Sequence, residues 1–112
     1  MEEKTVYIVQ FWLKPDGGQK VLDWLNGNHL TDVVNQPGFL WARMFDLEQA
    51  DEDGWPAYMM MYGLESRQAL EDYFNSEAPK QYARERIELG LDELLRAERY
   101  FGSPGEILRP GG

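Results

Sequence analysis

Trp24-Leu25-Asn26-Gly27-Asn28-His29-Leu30-Thr31-Asp32-Val33-Val34-Asn35-Gln36-Pro37-Gly38-Phe39 divides into a helical half and a stop. The helical half belongs to a longer run from about Gln19 to Asn35. In that run Val21, Leu22, Leu25, His29 and Val33 fall on one side at helical spacing. Pro37-Gly38 ends it, and Phe39 to Leu47 (FLWARMFDL) then reads as a strand. Gly27 costs roughly 1 kcal/mol relative to alanine inside a helix. It either permits close packing or marks a break between two shorter helices. The chain's single histidine, His29, sits on the buried side of this helix. A titratable ring set against a sheet is either core filler or a catalytic group.

Outward from this segment the order of elements becomes clear. Thr5 to Leu13 (TVYIVQFWL) is β-branched and aromatic and reads as a strand covered on both faces. Lys14-Pro15-Asp16-Gly17-Gly18 is a turn. After Phe39–Leu47, the acidic stretch from Glu48 to Trp55 reads as a solvated hairpin loop. Ala57 to Leu64 (AYMMMYGL) is a third strand. Ser66 is a good N-cap for a helix with Ala69, Leu70, Tyr73 and Phe74 on its apolar side. Pro79 interrupts it, a further helical run extends from Lys80 to Leu95, and Ala97 to Phe101 forms a short fourth strand. Residues 103–112 are rich in Gly and Pro and form a tail or partner-contacting arm. The expected organisation is one domain over residues 1–102 with a C-terminal tail over 103–112.

Composition excludes several classes. The chain has 112 residues, 43% of them hydrophobic and 13% aromatic, with a formal net charge of −9. That is too apolar for disorder and too acidic for a basic nucleic-acid groove. With no cysteine, disulfides, thiol nucleophiles and thiolate metal sites are all removed. This is compatible with a reducing compartment, and a cytoplasmic location is expected. The longest apolar run, Ala57 to Tyr62, is too short for a bilayer, and no signal-peptide pattern is visible at the N-terminus. Neither nucleic acid nor membrane is therefore an expected partner.

The order strand, helix, strand, strand, helix, strand predicts an α+β, ferredoxin-like βαββαβ fold with a four-stranded antiparallel sheet. Helices would cover only one face of it. The strands are nevertheless apolar on both sides. Tyr7, Val9, Phe11 and Leu13 oppose Val6, Ile8 and Trp12 on the first. Phe39, Trp41 and Phe45 oppose Leu40, Ala42 and Met44 on the second. A bare face of that kind would be a large exposed patch for a monomer. A homodimer formed by sheet-to-sheet packing is therefore expected.

These features resemble the dimeric α/β-barrel superfamily, and within it the EthD-like small proteins. The resemblance rests on Trp24, His29, Asp32 and Pro37-Gly38-Phe39 running into Ala42-Arg43. Tyr58 to Leu64 followed by Ser66 to Phe74 is similar to the family's third strand and second helix. The similarity spans roughly Thr5 to Leu95. It implies a dimer, a pocket between sheet and helices in each subunit, and chemistry without a metal. Members include cofactor-free monooxygenases, polyketide cyclases, lactone isomerases, decarboxylases and dehydratases, while others bind haem; fold membership does not select among them. Tyr73 stands where the plant polyketide cyclase type has its pocket tyrosine, but that type's catalytic histidine would fall near Lys80 and Gln81, where there is none. The histidine that the haem-degrading type carries on its second helix is also missing.

Several side chains are candidates for a site. His29 is either a general base or acid or a core histidine bonded to main chain or a tyrosine. A lone histidine cannot build a multi-histidine zinc site, and no metal is expected. Asp32, three residues on, could share the face of His29 and orient the imidazole, or be simply solvated. Tyr7, Tyr58, Tyr62 and Tyr73 are phenols expected to be at least partly buried. Tyr73, and Tyr62 beside a ligand, are the ones singled out for a site. Gln10 interrupts an apolar strand and must be satisfied by pocket water and ligand or across a dimer; Trp12 would neighbour it on the same face. Arg43 would either hold a ligand carboxylate or pair at the dimer seam.

The expected function is a small enzyme of lyase, isomerase or cyclase type, with oxygenation as a variant, that uses no cofactor. Its substrate would be an apolar, aromatic or carbonyl-bearing small molecule. His29, Asp32 and Tyr73 are the expected catalytic residues, and Gln10, Trp12, Arg43 and Tyr62 the expected substrate contacts. The alternative is a non-catalytic ligand-binding or assembly module. A cavity of a few hundred Å³ with His29 and a tyrosine on its wall favours the enzyme. A filled interface with His29 bonded to main chain favours the module.

Overall fold

The β-branched and aromatic run Thr5–Leu13 forms β1, a central strand of the sheet. The computed structural model describes residues 2–111; Met1 and Gly112, the outer ends of the expected domain and tail, lie outside the described residues. Beside β1 stand β2 (Phe39–Ala50), β3 (Pro56–Leu64) and β4 (Leu95–Gly102). Their spatial order is β2-β3-β1-β4 and every pairing is antiparallel. The first crossover contains α1 (Gln19–Trp24), a π-helical turn over Leu25–His29, and α2 (Leu30–Val34). The second contains α3 (Arg67–Asn75), α4 (Ala78–Glu88) and a short 3-10 turn over Asp92–Leu94. This is the ferredoxin-like α+β fold expected from the order of elements. No helix among the described residues is long and apolar enough to cross a membrane.

The core lies between one sheet face and the helices. Tyr7, Phe11 and Leu13 from β1 and Met60, Tyr62 and Leu64 from β3 pack with Val21, Val33, Phe39, Leu70 and Tyr73. Ser66 caps α3, its hydroxyl accepting from the Ala69 N–H at 3.0 Å. The opposite sheet face carries Val6, Ile8, Gln10 and Trp12 from β1 and Met59 and Met61 from β3, all only half-buried.

Four local readings are corrected. The second strand does not alternate simply, because a bulge lies between Phe39, opposite Leu64, and Trp41, opposite Gly63. The extra residue puts Phe39 on the helix side with Ala42 and Met44, and turns Trp41 to the open face. Gly63 makes that possible, since a Cβ there would run into the Trp41 indole. The last strand starts at Leu95, opposite Leu13, and runs to Gly102. It takes Leu95 from the expected helix, which Gly90 ends in a left-handed conformation at φ 70°. Pro79 occupies the first turn of α4, where its missing N–H costs nothing. The acidic hairpin is also not wholly solvated: Arg96 from β4 lies 3.8 Å over the Trp55 ring and pairs with Asp51 at 2.9 Å and Asp53 at 2.8 Å.

Gly27 and Gly38 illustrate opposite uses of the same residue. Nothing lies within 4 Å of a Cβ built at Gly27, so close packing is not its role. Gly38 has φ +86° and a Cβ there would strike the Ala69 Cβ. Urea unfolding should therefore give changes of opposite sign. Gly27→Ala is expected to stabilise by about 0.5–1 kcal/mol, and Gly38→Ala to destabilise by about 1–3 kcal/mol.

Candidate functional site

The helices do not fill the sheet face. Between them remains a cavity of about 350 Å³, lined from β1 by Tyr7, Val9 and Phe11 and from β3 by Met60 and Tyr62. The first crossover supplies Val21, Trp24, Leu25, His29, Leu30 and Val33; the second supplies Tyr73, Phe74, Pro79, Tyr82 and Arg86; β4 adds Leu95, Ala97 and Arg99. A volume of this size accepts a small organic ligand.

The π-helical turn determines how His29 enters the cavity. In a regular α-helix residues five apart stand roughly 140° apart around the axis. The wider turn, marked by the Leu30 N–H donating to the Leu25 carbonyl, brings residues five apart towards one line. Trp24 consequently lies flat on His29, with ring centroids 4.0 Å apart and planes at 20°. Tyr82 meets the imidazole edge-on at 4.5 Å and 86°. The Tyr82 hydroxyl accepts from Gln36 Nε2 at 3.3 Å, which ties α4 to the end of the first helix.

His29 is held by rings and by no hydrogen bond at Nδ1, which is buried and without a partner. Burial pushes its pKa down from 6.5 to about 4, and the nearby positive charge of Arg86 pushes the same way. The imidazole is therefore neutral at pH 7, offering one N–H and one lone pair. Burial also raises the Tyr62 and Tyr73 phenols well above their ordinary range, each helped by neighbouring tyrosines. Both remain protonated donors. Tyr7 is raised by burial too, against the opposing effect of Arg99.

Of the side chains expected at a site, the fold brings His29, Tyr62 and Tyr73 to one cavity. Asp32 is exposed and leaves His29 Nδ1 unpartnered, so it does not orient the imidazole. The geometry corrects three expected contacts. Gln10 and Trp12 alternate with the cavity-lining Val9 and Phe11 and so point to the other face of β1. Arg43 is exposed, lies 5.0 Å over the Phe45 ring and borders a separate shallow hollow between α2 and β2. Among the described residues, no three His, Asp or Glu side chains converge in a group that could hold a metal ion.

Trp24, Tyr82, Arg86 and Arg99 are among the cavity residues that reading the sequence alone did not single out as ligand contacts. A signal for the arginines existed. Arg86 is four residues after Tyr82 on one helix, and Arg99 continues the alternation of Leu95 and Ala97. The stacking of Trp24 had no signal, because it depends on the wider helical turn.

The fold and cavity define a ferredoxin-like α+β protein with a small-molecule-sized hollow beneath its helices. Residues 4–87 match the family described as a domain of unknown function (DUF4286), and the chain belongs to that family. No curated protein matches its sequence. Solved structures match over nearly the whole chain. SnoaB, a cofactor-independent oxygenase from Streptomyces nogalater, is 16% identical with a TM-score of 0.65, over 95% of this chain and 97% of that one. An ethyl tert-butyl ether d (EthD) family protein from Bacillus halodurans is 14% identical with a TM-score of 0.60, over 93% and 99%. A dimeric ferredoxin-like protein from an uncultured marine organism is 10% identical with a TM-score of 0.70, over 96% and 100%. At these identities the similarity is one of fold, and it agrees with the EthD-like resemblance.

The depressed pKa of His29 has a stability consequence. Its folded value of about 4 lies below the ordinary 6.5, so the unfolded chain binds more protons between them. Stability is then fully present above pH 6.5 and falls as pH drops through that window, by about 3 kcal/mol in total. Urea unfolding between pH 4 and 7 should show this slope, and His29→Gln should lack that portion of it.

Proposed function

We propose that this protein is a small cofactor-independent enzyme that transfers a proton on an aromatic, carbonyl-bearing molecule held in the cavity. The reading rests above all on the His29 imidazole, with its buried, unpartnered Nδ1, on the wall of a cavity of about 350 Å³. A core histidine would have its nitrogens satisfied by protein. Here no protein group holds Nδ1, which is shut off from solvent, while the ring itself lines the cavity.

The chemistry follows from the surroundings. His29 is neutral, so its lone pair can take a proton from a carbon or hydroxyl adjacent to a carbonyl. Burial and the nearby Arg86 disfavour a charged imidazole. Once a proton is taken from the substrate, however, an enolate or phenolate lies beside the new imidazolium, and their attraction in a poorly solvated space offsets much of that burial cost. Tyr73, a protonated phenol on the same cavity, donates to the oxygen where negative charge develops. The proton then returns elsewhere on the same molecule, or the anion expels a leaving group or closes a ring. Reaction of such an anion with molecular oxygen is the variant favoured by the fold's similarity to a cofactor-independent oxygenase. Asp32 has no part in this scheme.

A second copy of the chain covers the open sheet face in this reading. Val6, Ile8, Trp12, Trp41, Phe45, Met59 and Met61 are all half-buried in the single chain. Such a patch is large for a monomer, and the similar marine protein is described as dimeric. Gln10 and Arg43 would then belong to the seam between subunits.

Two measurements test these statements. In a screen of polycyclic hydroxy-ketones, His29→Ala should lower turnover by about 10²–10⁴-fold, with circular dichroism unchanged. Unchanged turnover would overturn the enzymatic reading, and binding without turnover would assign a ligand-binding module instead. In sedimentation equilibrium the protein should have twice the mass of one chain, and Ile8→Glu should reduce it to one.

A further inference from the structure

The charge of the cavity is opposite to that of the chain. The protein has 20 Asp and Glu against 11 Lys and Arg. Yet among the described residues the cavity wall carries two arginines, Arg86 and Arg99, and no carboxylate. His29 adds no charge at neutral pH, because its pKa lies near 4.

The two arginines differ. Arg86 is tied to Asp92, with Nε 3.0 Å from the carboxylate, so its charge is largely answered by the protein. Among the described residues Arg99 belongs to no ion pair. It stands on β4 opposite Val9, and its positive charge acts on the phenols of Tyr7, Tyr62 and Tyr73. An exposed guanidinium on the border of a cavity lined by four phenols and, among the described residues, no acid has the chemistry to receive a planar anion. An acidic protein repels anions at long range, so surface attraction does not account for this arrangement.

We propose that the cavity's ligand is an aromatic carboxylate, its carboxylate taken by Arg99 and the neighbouring phenols and its ring system lying among Trp24, His29 and Tyr82. This deepens the small-molecule reading given above and rests on it. Trp24, one face of which His29 covers, and Tyr82 supply apolar wall for the body of the ligand, while Arg99, exposed at the border of the cavity, fixes which end of the ligand lies beside β4. Arg86 is already paired and supplies background positive potential.

The test uses benzoate, 2-naphthoate and anthracene-2-carboxylate, each beside its neutral carboxamide, with binding to the full chain followed by calorimetry and tryptophan fluorescence. At least one carboxylate should bind about tenfold more tightly than its amide, the margin expected for a charge-assisted contact. Arg99→Gln should abolish that preference while leaving amide binding unchanged. Arg84→Gln, the same charge change at an exposed position on α4, should keep it. Equal affinity of acid and amide, or a preference that survives Arg99→Gln, overturns the carboxylate assignment while leaving the cavity as an aromatic small-molecule site. Failure of every acid and every amide to bind overturns both.

Discussion

Val21, Val33, Leu64 and Leu70 are the largest side chains to be almost wholly buried, and the cavity depends on where they sit. They come from α1, α2, β3 and α3, so both helical crossovers are fastened to the same sheet face. Burying each such aliphatic group contributes about 1.5–3 kcal/mol. With the helices held at those points, the space among them is bordered by large rings whose shapes do not close it. Tyr7 stacks with Tyr62 at 5.6 Å, and Phe39 meets Tyr73 edge-on at 4.9 Å. Aromatic packing of this kind is stiff, so an open volume persists instead of collapsing.

The same rigidity explains the state of His29. Trp24 and Tyr82 cover it on two sides with apolar surface, and nearby Arg86 discourages a second positive charge. The result is a neutral imidazole next to protonated phenols, with guanidinium groups as the only charged groups on the wall among the described residues. In such surroundings negative charge on a bound molecule is favoured and positive charge is not. The proposed proton removal by His29 and the proposed recognition of an anion by Arg99 would therefore draw on the same electrostatic surroundings.

The two sheet faces take up different tasks. The helix side holds the core and the cavity. The other side presents Val6, Ile8, Trp12, Trp41 and Phe45 with no helix over them. A one-residue bulge in β2 decides this division, since it sends Phe39 inward and Trp41 outward from neighbouring positions. Gly63 then leaves room for the Trp41 ring against β3. Arg96 links the β2–β3 hairpin to β4 through Asp51, Asp53 and Trp55, which joins the two outer strands of the sheet.

Periodicity and turn chemistry were enough, from the sequence alone, to determine the order of elements, the antiparallel ferredoxin-like sheet and the inward direction of His29. These features are local: alternation marks a strand, a 3.6-residue repeat marks a helix, and Pro37-Gly38 marks a stop. The inward placement of Tyr73 was legible for the same reason, as it shares a helical face with Ala69 and Leu70. What only the tertiary structure decided was everything that depends on a departure from regular geometry or on two elements meeting. The bulge after Phe39 reversed one strand's faces. The π-helical turn placed Trp24 on His29. Gln10 and Trp12 were separated from the cavity once the alternation of β1 was set against the positions of the helices. Arg86 and Arg99 lie 13 residues apart in the numbering on different elements, and they share one wall only because α4 packs over a sheet that ends in β4. Local patterns specify which way a side chain leaves its own backbone; the packing of whole elements specifies what it finds there.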